Sequence, residues 1–245
     1  MAGHAIPAGT AGSRRRSAFA IPLVLALACA LGAVFVPPPS PVAALSAWTG
    51  GVSLYRSGVF TTQRTWLWCT AADVQIARNI VFRTKDHTTA NQRRYFEWMR
   101  AHNRYSLPLS AGVDAQGWAA GLRHFVDSRY RLVAGNTFSG TLRLAVKRLR
   151  LTNLPVGVTV SHGNHAWLLT GFTATADPAV TNDFKVTSVR VVGPLYGLQS
   201  RTFGYDMKPN TKLSVAAFRK FFTGWWYPHK RMVWDRRYVT VQPVP

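Results

Sequence analysis

Acidic residues are scarce in this chain. Only 9 Asp and Glu stand against 30 Lys and Arg over 245 residues, a formal net charge of +21. A field of that sign favours anionic partners, such as cell-envelope polymers, acidic lipid headgroups or nucleic acid. A generally basic, solvated surface accounts for the same composition. The sequence also lacks a basic repeat and zinc-ligand spacing, so no specific nucleic-acid partner is expected. No metal or organic cofactor is implied. Cysteine is nearly absent, with only Cys29 and Cys69. Cys29 lies inside an apolar segment, which leaves one thiol downstream and excludes an internal disulfide there. No linker rich in Pro, Gly and Ser and no internal repeat divides the chain after Ala44, so residues 45–245 read as one domain with a sizeable core.

Residues 1–44 read as a signal or membrane anchor. Arg14, Arg15 and Arg16 precede an uncharged stretch from Phe19 to Val36, and Pro37, Pro38 and Pro39 close it. As a helix, that stretch would reach roughly 27 Å, close to a bilayer core. The arginines before it place the N-terminus inside and the remainder outside the cytoplasm. The length favours a retained anchor, and Val42-Ala43-Ala44 offers a cleavage site. The expectation is therefore a secreted protein or a single-pass membrane protein, with the C-terminal domain outside.

The pattern of the remaining residues predicts an α+β fold. Apolar positions at helical spacing predict helices over 68–82, 88–103, from Asp114 through Phe125, and from Ser139 to Arg150. The texture then changes to β-rich runs at 156–160, 166–172 and 186–192, with a helix opened by Ser214 and a last strand at 238–241. A short strand is expected at 129–134.

Cys69 opens the first of these helices. The orphan N–H groups and partial positive charge of a helix N-terminus favour a thiolate over a thiol. About a hundred residues later, His165 stands just before an apolar strand in the string GNHAWLLTGF. Cysteine on a helix and histidine on a strand are how a nucleophile and its general base meet across a cleft. The Cys69 backbone N–H, with the Gln63 side-chain amide if the intervening turn doubles back, could receive an oxyanion. His162 is the rival to His165. Trp66, Trp68 and Trp167 flank the proposed site and are candidates for the wall of a substrate groove, although packing would serve them equally. Asp73 lies one helical turn beyond Cys69.

Gln63-x5-Cys69 opening a helix, followed by Gly163-x-His165-Ala166 and a strand ending in Gly171-Phe172, resembles the papain-like cysteine peptidases. The branch it looks most like is the bacterial bacteriocin double-glycine leader peptidases, through the stretch NLPVGVTVSHGNHAWLLTGF. The resemblance covers roughly Thr62 to Tyr196. It implies a papain-like fold: a helical half with the cysteine at a helix start, packed on an antiparallel sheet carrying the histidine. It also implies Cys69 as nucleophile, His165 as base, Gln63 in the oxyanion hole, and a peptide or protein substrate. The sequence departs from that family at the end of the strand after the histidine strand. Gly193 occupies the slot where the family usually has an aspartate. Asp177, Asn182, Asp183 and Asp206 are the groups that could replace it from loops.

Four readings follow. One is an exported peptidase, and one is a catalytically impaired domain that binds peptides or cell-wall material. The others are a cysteine acyl hydrolase or transferase of another branch, and a basic membrane-anchored interaction protein without chemistry.

Overall fold

A computed structural model describes residues 45–198, 206–228 and 230–245. The leader expected over 1–44 lies outside the described residues. Among those that are described, no helix is long and apolar enough to cross a membrane.

The described chain is α+β. It begins with the short strand β1 (Gly51–Ser53), followed by the helices α1 (Cys69–Val81), α2 (Thr89–Ala101) and α3 (Ala115–Phe125). Strand β2 (Tyr130–Gly135) and helix α4 (Phe138–Thr152) come next. The strands β3 (Val156–Val160), β4 (His165–Ala174) and β5 (Val186–Val192) are consecutive. The chain finishes with β6 (Thr211–Ser214), α5 (Val215–Arg219) and β7 (Tyr238–Pro243). The strands form one antiparallel sheet in the order β2-β7-β3-β4-β5-β6. β4 is the long central strand. His165–Leu169 pairs with β3, and Gly171–Thr173 pairs with β1.

Strand alternation sorts the core into two layers. Ala166 and Leu168 of β4 pack in a cluster with Val74, Ile76, Trp118 and Leu122 of α1 and α3. Trp167 and Leu169 pack with Leu142, Val146 and Leu149 of α4 and Phe218 of α5. The sheet therefore lies between two helical layers. A third cluster, around Trp225, Met232, Trp234 and Val239, anchors the chain before β7.

Capping explains where most helices begin. Thr88, Asp114 and Ser214 accept backbone N–H groups at the starts of α2, α3 and α5. α4 is capped by Thr137 rather than Ser139, because Thr137 is the extended residue whose hydroxyl accepts the Gly140 N–H at 3.2 Å. α1 differs: Trp68 stands at its N-cap and no side chain caps it. The short polar strand β6 was not expected from the sequence. It pairs only with β5, and its pattern carries no apolar face long enough to mark it. α5 ends at Arg219, and a turn carries the chain on to Phe222.

Candidate active site

The uncapped start of α1 faces a cavity of about 570 Å³, lined by both Cys69 and His165. Cys69 is a free, partly exposed thiol. His165 begins β4 immediately after a tight turn in which Ser161, His162 and Gly163 all have positive φ (52°, 59° and 88°). A side chain at Gly163 would meet both this conformation and the Trp225 ring, whose atoms lie 2.4–2.7 Å from where a Cβ would stand. His162 is held by that turn: its N–H donates to Thr223 Oγ1 and its Nδ1 lies 3.1 Å from the Gly224 carbonyl. It does not line the cavity, which leaves His165 as the imidazole beside Cys69.

Behind the His165 ring stands Asp206. The His165 Nε2 lies 2.9 Å from Asp206 Oδ2, and the Asp206 side chain is fully buried. Two further donors fix this carboxylate: the Trp167 indole N–H reaches Oδ1 and the Leu195 backbone N–H reaches Oδ2. A buried carboxylate with this many donors is oriented rather than merely near. Burial alone would lower the basicity of His165. Its hydrogen bonds with Asp206 and Cys69, and the charge of each, outweigh that and raise its pKa from 6.5 to about 9. The imidazole thus interacts with Cys69 and Asp206 together.

The other three groups that might have taken this role are engaged elsewhere. Asp177 pairs with Arg150 at 2.8 Å, Asn182 accepts from Lys147 at 2.6 Å, and Asp183 is exposed. Gly193 makes the arrangement sterically feasible. A Cβ there would stand 2.3 Å from Asp206 Cγ and 2.6 Å from the Trp167 indole nitrogen.

The remaining residues singled out in the sequence are placed differently from one another. Gln63 is 1% exposed and outside the cavity wall. Its Nε2 donates to the Thr65 carbonyl at 2.8 Å, and its backbone N–H donates to Pro194 at 2.8 Å. Trp66 is half exposed and lines the cavity. Trp68 does not line it, because it stacks on Phe96 at the edge of the first core cluster. Trp167 is also no groove residue. It is 1% exposed, packs on Phe221, and serves Asp206.

Asp73 is fully buried, and neither carboxylate oxygen has a hydrogen-bond partner. Burial first, then the charges of Cys69 and Asp206, hold its carboxyl well above the usual carboxylate range. Its burial therefore favours the protonated form and works against a negative charge beside the nucleophile.

Sequence reasoning did not find most of the cavity wall. One side is the segment Leu107–Ala115, held by the Arg100 guanidinium. That group donates to the carbonyls of Leu107 (3.1 Å), Pro108 (2.7 Å), Ala111 and Gly112 (3.1 Å). The other side is Trp225, Tyr227 and Met232. No periodicity or motif marks Leu107–Ala115, whereas the aromatic run Trp225-Trp226-Tyr227 stands out in the sequence but suits packing as well as ligand contact. Among the described residues, no group of three or more His, Cys, Asp or Glu is arranged to hold a metal ion.

No family model matches this sequence, and no curated protein matches it. Among solved structures, UfSP from C. elegans is similar, at 12% identity and a TM-score of 0.41. The match covers 76% of this chain and 32% of that one, so the chain spans about a third of that protein's length.

Proposed function

We propose that this protein is an extracytoplasmic cysteine hydrolase of the papain-like kind, acting on peptide bonds. The observation that carries the reading is the His165 imidazole, engaged by Cys69 and by the buried carboxylate of Asp206 at a cavity under an open helix N-terminus. With Nε2 bound to Asp206, Nδ1 is the nitrogen left for the thiol proton. Cys69 as thiolate attacks the peptide carbonyl, and the free N–H groups at the start of α1 receive the oxyanion. Gln63, the side-chain donor the resemblance implies, would have to turn from the Thr65 carbonyl toward the cavity to join them. Protonated His165 then gives its proton to the departing amine. Water, activated by the neutral imidazole, hydrolyses the thioester. Asp206 fixes the tautomer and steadies the imidazolium throughout.

The bacteriocin leader peptidase branch is the finer form of this reading and rests on the strings around Cys69 and His165. The extracytoplasmic location rests on the arginine-led apolar segment of residues 14–36. The impaired binding module drew its support from Gly193, and Asp206 standing over that glycine weakens it.

A thiol-reactive peptide probe tests the proposal. It should label Cys69 in the native protein, and labelling should vanish in Cys69→Ser and His165→Ala. A Cys69 that labels no faster than free cysteine, with or without His165, would remove the enzyme reading.

A further inference from the structure

Among the described residues, no Lys or Arg lines the cavity, although the chain carries +21. The cations stand just outside it. Part of one wall is Met232, which lies in the segment Lys230-Arg231-Met232-Val233-Trp234-Asp235-Arg236-Arg237. Met232 is buried and lines the cavity, and Trp234 is buried in the third cluster beneath. These two anchors turn Lys230, Arg231, Arg236 and Arg237 outward, and all four are exposed. Among the described residues none of the four is paired with a carboxylate. The backbone of the segment is fixed to the site: Arg236 N–H donates to the carbonyl of the wall residue Trp225, and Trp225 N–H donates to Arg237.

A second element adds to the same edge. Lys230 Nζ lies 5.2 Å and the Arg104 guanidinium 5.9 Å from the centre of the Tyr105 ring. The Tyr105 hydroxyl accepts the Val233 N–H at 2.9 Å, which ties the segment to the chain leading into Leu107 of the opposite wall. Two acids lie nearby and both face inward. Asp235 accepts the Met232 N–H at 3.0 Å, and Asp114 caps α3 and accepts the Tyr105 N–H at 2.9 Å. Each offsets one charge, and the rim remains strongly cationic.

We infer that this strip selects the substrate: a polypeptide with a reacting segment free of charged side chains, which enters the cavity, flanked on one side by acidic residues that lie along Lys230, Arg231, Arg236 and Arg237. The inference rests on the peptidase reading for the cutting but not for the binding. A cavity without Lys or Arg presents no extended cationic field of its own, whereas a cationic rim raises the local concentration of an acidic chain and its rate of association. The strip adjoins the cavity through Met232, so a polypeptide leaving the site on that side runs beside it. A polymer held elsewhere on the basic surface would not need this placement.

The test uses neutral peptides extended at either end with three Glu, three Ser or three Lys. Binding is read by fluorescence anisotropy on Cys69→Ser, and cleavage by kcat/KM on the native protein, at low and high salt. One acid-flanked peptide should bind about tenfold or more tightly than its Ser counterpart at low salt, and salt should erase the difference. Replacing all four strip cations with Ser should bring the two affinities together. Lys230→Ser/Arg231→Ser and Arg236→Ser/Arg237→Ser should each give a partial loss, which keeps the test readable if the fourfold variant misfolds. Removing four exposed cations elsewhere, Lys85, Arg93, Lys212 and Lys220, should preserve the preference. Equal binding of the acidic and neutral peptides overturns the inference, as does a loss that is the same in the remote variant. It also falls if long-chain polyphosphate binds through the strip while acid-flanked peptides do not. Tight binding without cleavage would uphold the strip and count against the peptidase chemistry instead.

Discussion

The carboxylate of Asp206 occupies the space that a side chain on Gly193 would fill: a Cβ at 193 would lie 2.3 Å from Asp206 Cγ. The glycine and the acid are therefore one feature built from two chain positions. Gly193→Ala should displace the carboxylate from His165 without touching the chemistry directly. Its effect on probe labelling or kcat/KM should approach that of Asp206→Ala, which we expect to be about 100-fold or more, since losing a group that orients a catalytic imidazole has cost up to about 10⁴ elsewhere. In a double-mutant cycle, Gly193→Ala should add little to Asp206→Ala. Additive losses would show that Gly193 matters for some other reason.

Alkali should weaken the fold through His165. Its folded pKa of about 9 exceeds the unfolded value of 6.5, so its contribution is fully present below about pH 6.5. It should be lost as pH rises through about 9. Denaturant titrations should therefore show stability falling over that window by an amount on the order of 2–3 kcal/mol. The slope should largely vanish in Asp206→Asn. A native protein whose stability rises between pH 6.5 and 9 would contradict the imidazolium assignment.

Asp73 should behave as a buried acid that the fold keeps from ionising as readily as a free carboxyl. Because its folded pKa is raised, the unfolded chain ionises first, and its effect on stability worsens as pH rises above the ordinary carboxylate range. Asp73→Asn is nearly isosteric and removes that liability. The variant should melt at a higher temperature than the native protein at pH 8, with a smaller gain at pH 4, and it should keep its rate of Cys69 labelling at pH 7. A tenfold loss of labelling would mean that the carboxyl takes part in the chemistry.

Arg100 should matter through the wall it holds. Arg100→Met removes the donors from four carbonyls of 107–112, some of which can turn to water. A loss of about 2–4 kcal/mol is expected, at 1.5–3 kcal/mol for a hydrogen bond to a charged group. For peptides that reach the Leu107–Ala115 side, KM should rise more than kcat falls.

The sequence made the helical and strand halves legible because their apolar periodicity is strong. Cys69 and His165 were legible because a lone thiol at a helix start and an imidazole before a strand carry local signatures. Asp206 was not, since it acts across space from a loop with no pattern. The sequence could name it only as one of four loop groups, with Asp177, Asn182 and Asp183, that might replace the acid missing at Gly193. Trp167 could not be separated from a groove residue either, because strand alternation says which face a side chain takes but not what waits there. The walls at 107–115 and 225–232 come from irregular chain, where neighbours in space leave no periodic mark. Thr137 displaced Ser139 as the cap of α4 because both are good capping residues and only backbone conformation chooses between them.

The bare start of α1 has a further consequence. A Ser or Asp at position 68 would stabilise the helix by about 1 kcal/mol, as such residues do at other helix starts. It would do so by laying its own oxygen against the amides beside Cys69, where the oxygen of a bound carbonyl is meant to rest. If the proposed chemistry holds, that variant would gain helix stability and carry a built-in inhibitor, so the open helix start exchanges stability for access to its amides.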